Sequence, residues 1–118
     1  MTATPQLAAI LAARELERLY SGLSVLVSTA VDGAPCAALA SFGALELLLR
    51  PAAPGKLGPS FEELVATALD LDNLTIHACA ASVDTMELDR AEVEARLDGV
   101  KSTPRFLRDT AGATLIFV

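Results

Sequence analysis

Short apolar runs alternate with helix-like segments along this 118-residue chain, and that alternation constrains the fold more than any other feature of the sequence. The apolar runs predict five strands: residues 23–28, residues 45–49, residues 74–78, a brief strand at Val100 and residues 114–118. The first run is apolar and β-branched, which is typical of a strand covered on both faces.

Predicted helices precede and separate these strands: residues 6–20, residues 34–42, and helices that begin near Ser60, Asp89 and Thr103. Apolar residues at helical spacing predict the first of them, and two of the later ones begin with the spacing of a capping box. Strands that alternate with right-handed helical crossovers predict a flavodoxin-like, doubly wound α/β fold. We therefore expect a single domain over residues 1–118, with a parallel five-stranded sheet in the order 2-1-3-4-5 and an extra N-terminal helix.

Charge and composition limit the kinds of partner, the location and the assembly that the sequence predicts for the protein. A net charge of −6 argues against nucleic acid, whose phosphates attract clustered Lys and Arg. The longest nearly uncharged run, residues 34–49, contains Glu46 and is too short to span a membrane. Two cysteines without a recognisable export signal predict a cytoplasmic protein, and 53% hydrophobic residues predict buried contacts in a homo-oligomer.

Cys79 is the candidate reactive residue because it follows the predicted strand 74–78. Ligands of open parallel sheets bind beyond the carboxyl ends of the strands, and a following helix N-terminus favours a thiolate. His77 lies two residues earlier, so it shares a face with Cys79 if the strand continues. Ser82 is a candidate supporting residue, and Cys36 is a candidate second or resolving thiol. The structural alternative for either cysteine is a small buried apolar residue.

Other chemistries lack the residues that they need. One His and two Cys argue against a structural zinc site. The sequence contains neither the Gly-x-Ser-x-Gly elbow of a serine hydrolase nor a nucleotide phosphate loop. Aromatic residues that would stack on a flavin are almost absent near the predicted loops. We therefore predict no cofactor and no metal.

From Leu74 onward the chain resembles the DsrE/DsrF-like family of small sulfur-relay proteins. The segments that carry the resemblance are TIHACAAS at residues 75–82, Met86, LDGV at 97–100, FL at 106–107 and ATLIF at 113–117. The resemblance implies a flavodoxin-like fold and a trimeric or hexameric assembly. It also implies that Cys79 accepts sulfane sulfur as a persulfide from a donor protein and passes it to an acceptor, as a sulfurtransferase-like carrier does.

Three hypotheses about function follow. The first is the sulfur relay through Cys79. The second is thiol redox or peroxide sensing, in which Cys79 is oxidised to a sulfenic acid and Cys36 resolves it. The third is a non-enzymatic oligomeric binding module in which Cys79 is inert.

Overall fold

The structure is a computed structural model that describes residues 4–118. Its elements in chain order are β1 (Leu7–Leu11), α1 (Leu16–Val31), β2 (Cys36–Ala40), α2 (Phe42–Leu49), α3 (Leu57–Asp70), β3 (Leu74–Cys79), α4 (Ala80–Thr85), α5 (Arg90–Arg96), β4 (Val100–Lys101), α6 (Thr103–Asp109) and β5 (Thr114–Phe117). Among these residues, none of the helices is both long enough and apolar enough to cross a bilayer.

The strands of residues 4–118 form one parallel sheet in the order β4-β3-β2-β1-β5. This confirms the predicted α/β class, the parallel five-stranded sheet and its flavodoxin-like arrangement. The strand order differs from the predicted 2-1-3-4-5. The chain steps from β1 across β2 and β3 to β4, and then returns to β5 on the other side of β1. This single reversal places α6 on the opposite face from the earlier crossover helices.

The first half of the chain corrects the sequence prediction. The expected helix over residues 6–20 is wrong, because Leu7–Leu11 is a strand and the helix begins only at Leu16. The predicted strand at 23–28 lies inside α1, the predicted helix at 34–42 is mostly β2, and the predicted strand at 45–49 lies inside α2. Alanine-rich runs such as LAAIL and CAALA satisfy helical and strand spacing alike. In the first half of the chain the predicted helices and strands are therefore exchanged.

From Leu74 onward the structure agrees with the prediction except at α4, a short helix where the sequence predicts none. Strand β3, the helices α5 and α6, the brief strand β4 and strand β5 all fall where their runs and turn signals predict them. These segments carry explicit end signals: the Asp89 side chain accepts a hydrogen bond from Ala91 N at 3.0 Å, and Ser102 Oγ accepts one from Arg105 N at 3.3 Å.

The sheet has two unequally covered faces. Odd-numbered positions of β1, such as Leu7 and Leu11, point to the first face, where α1, α2, α3 and α5 bury a large cluster. The alternate positions of the central strands point to the second face, where the buried cluster is small: Ala8, Ala37, Leu39, Cys79 and Phe106. Phe106 comes from α6, so one short helix provides most of the cover on the face that holds Cys79.

Candidate functional site

Cys79 is the last residue of β3 and the N-cap of α4, so no loop separates the strand from the helix. Its backbone is extended, with φ −67° and ψ 124°, and the helix starts at the next residue. The main-chain N–H groups of Ala81 and Ser82 therefore face the side of the sulfur, although neither closes a capping hydrogen bond of standard geometry. The predicted place of Cys79, at the carboxyl edge of the sheet, is what the structure shows.

The neighbouring strands complete the surroundings of the sulfur. Strand β4 pairs Lys101 with Cys79 in register, and the chain then turns into α6. This brings the Thr103 hydroxyl to 4.0 Å from Cys79 Sγ. On the other side, the chain leaving β2 brings the N–H of Phe42 to 3.1 Å from the Ser82 hydroxyl oxygen, to which it donates. Three consecutive strand ends thus meet around one thiol.

Hydrogen-bond donors favour the thiolate of Cys79 over its buried thiol. Burial raises the pKa of Cys79, since only 6% of the residue is exposed. The hydroxyl and N–H of Ser82, the Thr103 hydroxyl and the Ala81 N–H lower that pKa, and together they outweigh the burial. The pKa of Cys79 therefore lies below the ordinary value of a cysteine. A lowered pKa at a strand end is the property expected of a reactive thiol.

Cys36 has the opposite environment. It is the first residue of β2, pairs in register with Leu74, and belongs to the buried cluster of the first face. Burial raises the pKa of its thiol, which donates to Ala34 O at 3.4 Å. Leu74 and Cys79 are five positions apart on β3, about 16 Å along the strand. Cys36 thus lies at the other end of the sheet and on the other face, and the structure does not bring the two cysteines together.

His77 lies on the second face with Cys79, as its spacing predicts, but the imidazole is not among the groups that shift the pKa of the thiol. Burial and the nearby Lys101 lower the pKa of His77, against the opposing effect of Asp98 and Asp109. Its Nδ1 is buried and has no hydrogen-bond partner among residues 4–118. The imidazole is therefore uncharged at neutral pH and supplies no cation to a thiolate.

Ser82, the candidate supporting residue, lies three residues after Cys79 in α4. It is completely buried, and both its hydroxyl and its N–H lower the pKa of Cys79. Phe42 and Thr103 were not predicted. The signal for Thr103 was present, because Ser102-Thr103-Pro104 directly follows the brief strand β4. Phe42 had no usable signal, since the sequence predicts one helix over residues 34–42.

A concave space among residues 4–118 is separate from the thiol. It measures about 510 Å³ on the second face, and its walls include Asn73, His77, Lys101, Phe106 and Asp109. Lys101 Nζ is 2.9 Å from Asp109 Oδ2, so the cation is already paired. Cys79 does not line this space. The Cys79 thiol therefore lies at the carboxyl edge of the sheet and outside this cavity.

Comparison with solved structures finds the same fold in known proteins. The crystal structure of the ychN protein from E. coli matches with a TM-score of 0.72 at 15% sequence identity, over 96% of this chain and 97% of that one. At this identity the likeness establishes the fold alone. No family model matches the chain, and no curated protein matches it.

Proposed function

We propose that this protein is a sulfur-relay protein that holds sulfane sulfur as a persulfide on Cys79 and transfers it to a partner. The observation that carries the proposal is the set of hydrogen-bond donors from Ser82, Thr103 and Ala81 that lowers the pKa of the Cys79 thiol. The resemblance of residues 74–117 to the DsrE/DsrF-like family supports it, as does the shared fold.

The reaction needs a stabilised thiolate and no acid–base apparatus. The Cys79 thiolate attacks the outer sulfur of a donor persulfide, R–S–SH. A new S–S bond forms on Cys79, the S–S bond of the donor breaks, and the donor leaves as a thiolate that takes up a proton. An acceptor thiolate discharges Cys79 by the same exchange. Because each step exchanges one S–S bond for another, there is no net oxidation.

The surroundings of Cys79 suit this exchange. Only 6% of Cys79 is exposed, so the terminal sulfur atom of a persulfide can reach Sγ more easily than a bulky group can. The same donors that favour the thiolate would favour a persulfide anion, which is also a sulfur-centred charge. The redox hypothesis loses support here, because Cys36 is on the other face and cannot resolve a sulfenic acid on Cys79 in the same chain.

Mass spectrometry tests the proposal directly. Incubation with inorganic polysulfide should add about 32 Da to the intact wild-type protein. Dithiothreitol should remove the adduct, which distinguishes a persulfide from a sulfinic acid of similar mass that resists reduction. Cys79→Ser should abolish the adduct, and Cys36→Ser, the matched control, should retain it. A folded wild-type protein that stays unmodified would favour the inert binding module instead.

The proposed relay includes the trimeric or hexameric assembly that the resemblance implies. Its support is an apolar surface on α6 and β5: Leu107, Leu115 and Phe117 expose 43%, 50% and 69% of their area. Exposed apolar residues that lie close together mark interaction surfaces. Light scattering on the native protein should give three or six times the mass of one chain, and a monomeric mass would contradict this part of the proposal.

A further inference from the structure

Phe42 has a backbone conformation that its residue type disfavours. Phe42 and Glu87 are the two non-glycine residues with positive φ among residues 4–118, and Phe42 has φ 44°. A bulky residue in this region is an outlier, and such outliers gather at functional sites. Phe42 also leaves 46% of its surface exposed, so packing of the ring is not what holds the conformation.

Contacts on every side hold the backbone of Phe42 in place. The preceding Ser41 donates its N–H to Leu11 O at 2.9 Å. The following Gly43 lies so close to Arg14 that a Cβ atom there would be 2.9 Å from the Arg14 Cα. Between them, the N–H of Phe42 donates to Ser82 Oγ at 3.1 Å. The neighbouring segments therefore impose the strained conformation. In this conformation the N–H of Phe42 makes its hydrogen bond with Ser82 Oγ.

Ser82 connects that hydrogen bond to the thiol. A hydroxyl has two lone pairs and a single hydrogen, so an N–H donor that occupies one lone pair restricts where the hydrogen can point. Ser82 is completely buried and stands three residues after Cys79, at the third position of α4. Cys79 is the N-cap and Ser82 the N3 residue of α4, the two positions whose side chains lie together in a capping box. The Ser82 hydroxyl is accordingly one of the groups that lower the pKa of that thiol.

We propose that Phe42 is a positioning residue that acts on Cys79 through Ser82: its left-handed backbone N–H orients the Ser82 hydroxyl so that the hydroxyl hydrogen faces the sulfur. The relevant property of residue 42 is its backbone conformation and not its ring. The inference concerns the charge state of the thiol, and it rests on the proposed function only for its consequence in sulfur transfer.

Substitutions that keep the N–H but differ in their tolerance of positive φ test this inference. Phe42→Gly and Phe42→Asn tolerate the conformation, whereas the β-branched Phe42→Val disfavours it. In a Cys36→Ser background, the rate of iodoacetamide alkylation against pH reports the midpoint of Cys79 alone. We expect the Gly and Asn variants to keep the wild-type midpoint and the Val variant to raise it by about one pH unit.

A double variant shows whether the effect passes through Ser82. Ser82→Ala should raise the midpoint by itself, and adding Phe42→Val should then raise it no further, because coupled residues are non-additive. An equal effect of Val with and without Ser82 would overturn the inference. A rise in the Gly and Asn variants as large as in Val would do so too, because the ring would then be responsible.

Folding and function are separated by two further controls. If Phe42→Val does not fold, as judged by circular dichroism, Phe42→Ala against Phe42→Gly takes its place: a midpoint raised in Ala but not in Gly supports the inference, and equal midpoints contradict it. Alkylation requires no sulfur donor. A protein that shows the coupling but forms no persulfide would therefore contradict the sulfur relay and support this inference. A protein that forms the persulfide but shows no coupling would support the sulfur relay and contradict this inference.

Discussion

Phe106→Ala is expected to lower the free energy of unfolding by about 3–5 kcal/mol. Phe106 is 1% exposed and belongs to the small buried cluster of the second face. Among its neighbours, Ala8 and Ala37 have only methyl groups, which cannot reach into the space left by the ring. The cavity would therefore persist, and a loss of this size removes much of the roughly 5–15 kcal/mol that stabilises a domain.

The same substitution should also open the site, because Phe106 packs in the cluster that contains Cys79. At low denaturant, where the variant is still folded, alkylation of Cys79 should be faster than in the wild type. The matched control is Phe61→Ala. Phe61 is completely buried on the first face, so it should lose similar stability in urea titrations without changing the alkylation rate. Equal rates in the two variants would contradict the described role of α6 as the cover of the thiol.

Gly43→Ala is expected to destabilise the protein by about 2 kcal/mol, although alanine is the better helix former. The added Cβ would lie 2.7 Å from Arg14 Cβ and 2.9 Å from Arg14 Cα. The Arg14 backbone belongs to the segment that joins β1 to α1, and it cannot move away without displacing the start of α1. Overpacking of this kind is not relieved by a change of rotamer.

Gly22→Ala serves as the control for this effect. Gly22 also lies in a helix, α1, and its added Cβ would meet the two γ-methyl groups of Val118 at 2.7 and 2.8 Å. A side chain can shift where a backbone cannot, so we expect a loss of less than about 1 kcal/mol. Thermal or urea unfolding of both variants decides the matter. A Gly43→Ala protein as stable as Gly22→Ala would show that the contact with Arg14 is looser than the structure describes.

The two halves of the chain differ in how well the sequence predicts them, and the cause is local chemistry. From Leu74 onward, capping residues, Asp98-Gly99 and Thr103-Pro104 punctuate the chain, so strands and helices can be separated. In the first half, the run at Leu7–Leu11 lacks β-branched residues apart from Ile10, and the later half of α1 is rich in them. The intrinsic helix and strand preferences of these residues therefore predict the wrong element, and tertiary packing overrides them.

The site was predictable in part for the same reason. The place of Cys79 follows from local sequence, because a strand run ends there and a short polar segment begins. The neutral state of His77 depends on burial and on Lys101, which is distant in sequence. The separation of Cys36 from Cys79 depends on which end of β2 holds Cys36. The sequence does not show this, because its pattern predicts a helix over residues 34–42.

By itself, the sequence determined the α/β class, the strands and helices from residue 74 onward apart from α4, and the position of one thiol at the end of a strand. Periodicity and turn chemistry act over a few residues, and these features need no more than that. The tertiary structure alone decided the strand order β4-β3-β2-β1-β5, and with it the neighbours of the sulfur. Thr103 lies beside Cys79, and Phe42 lies beside Ser82, because strands far apart in the chain lie side by side. Long-range pairing of this kind leaves no local mark in a sequence.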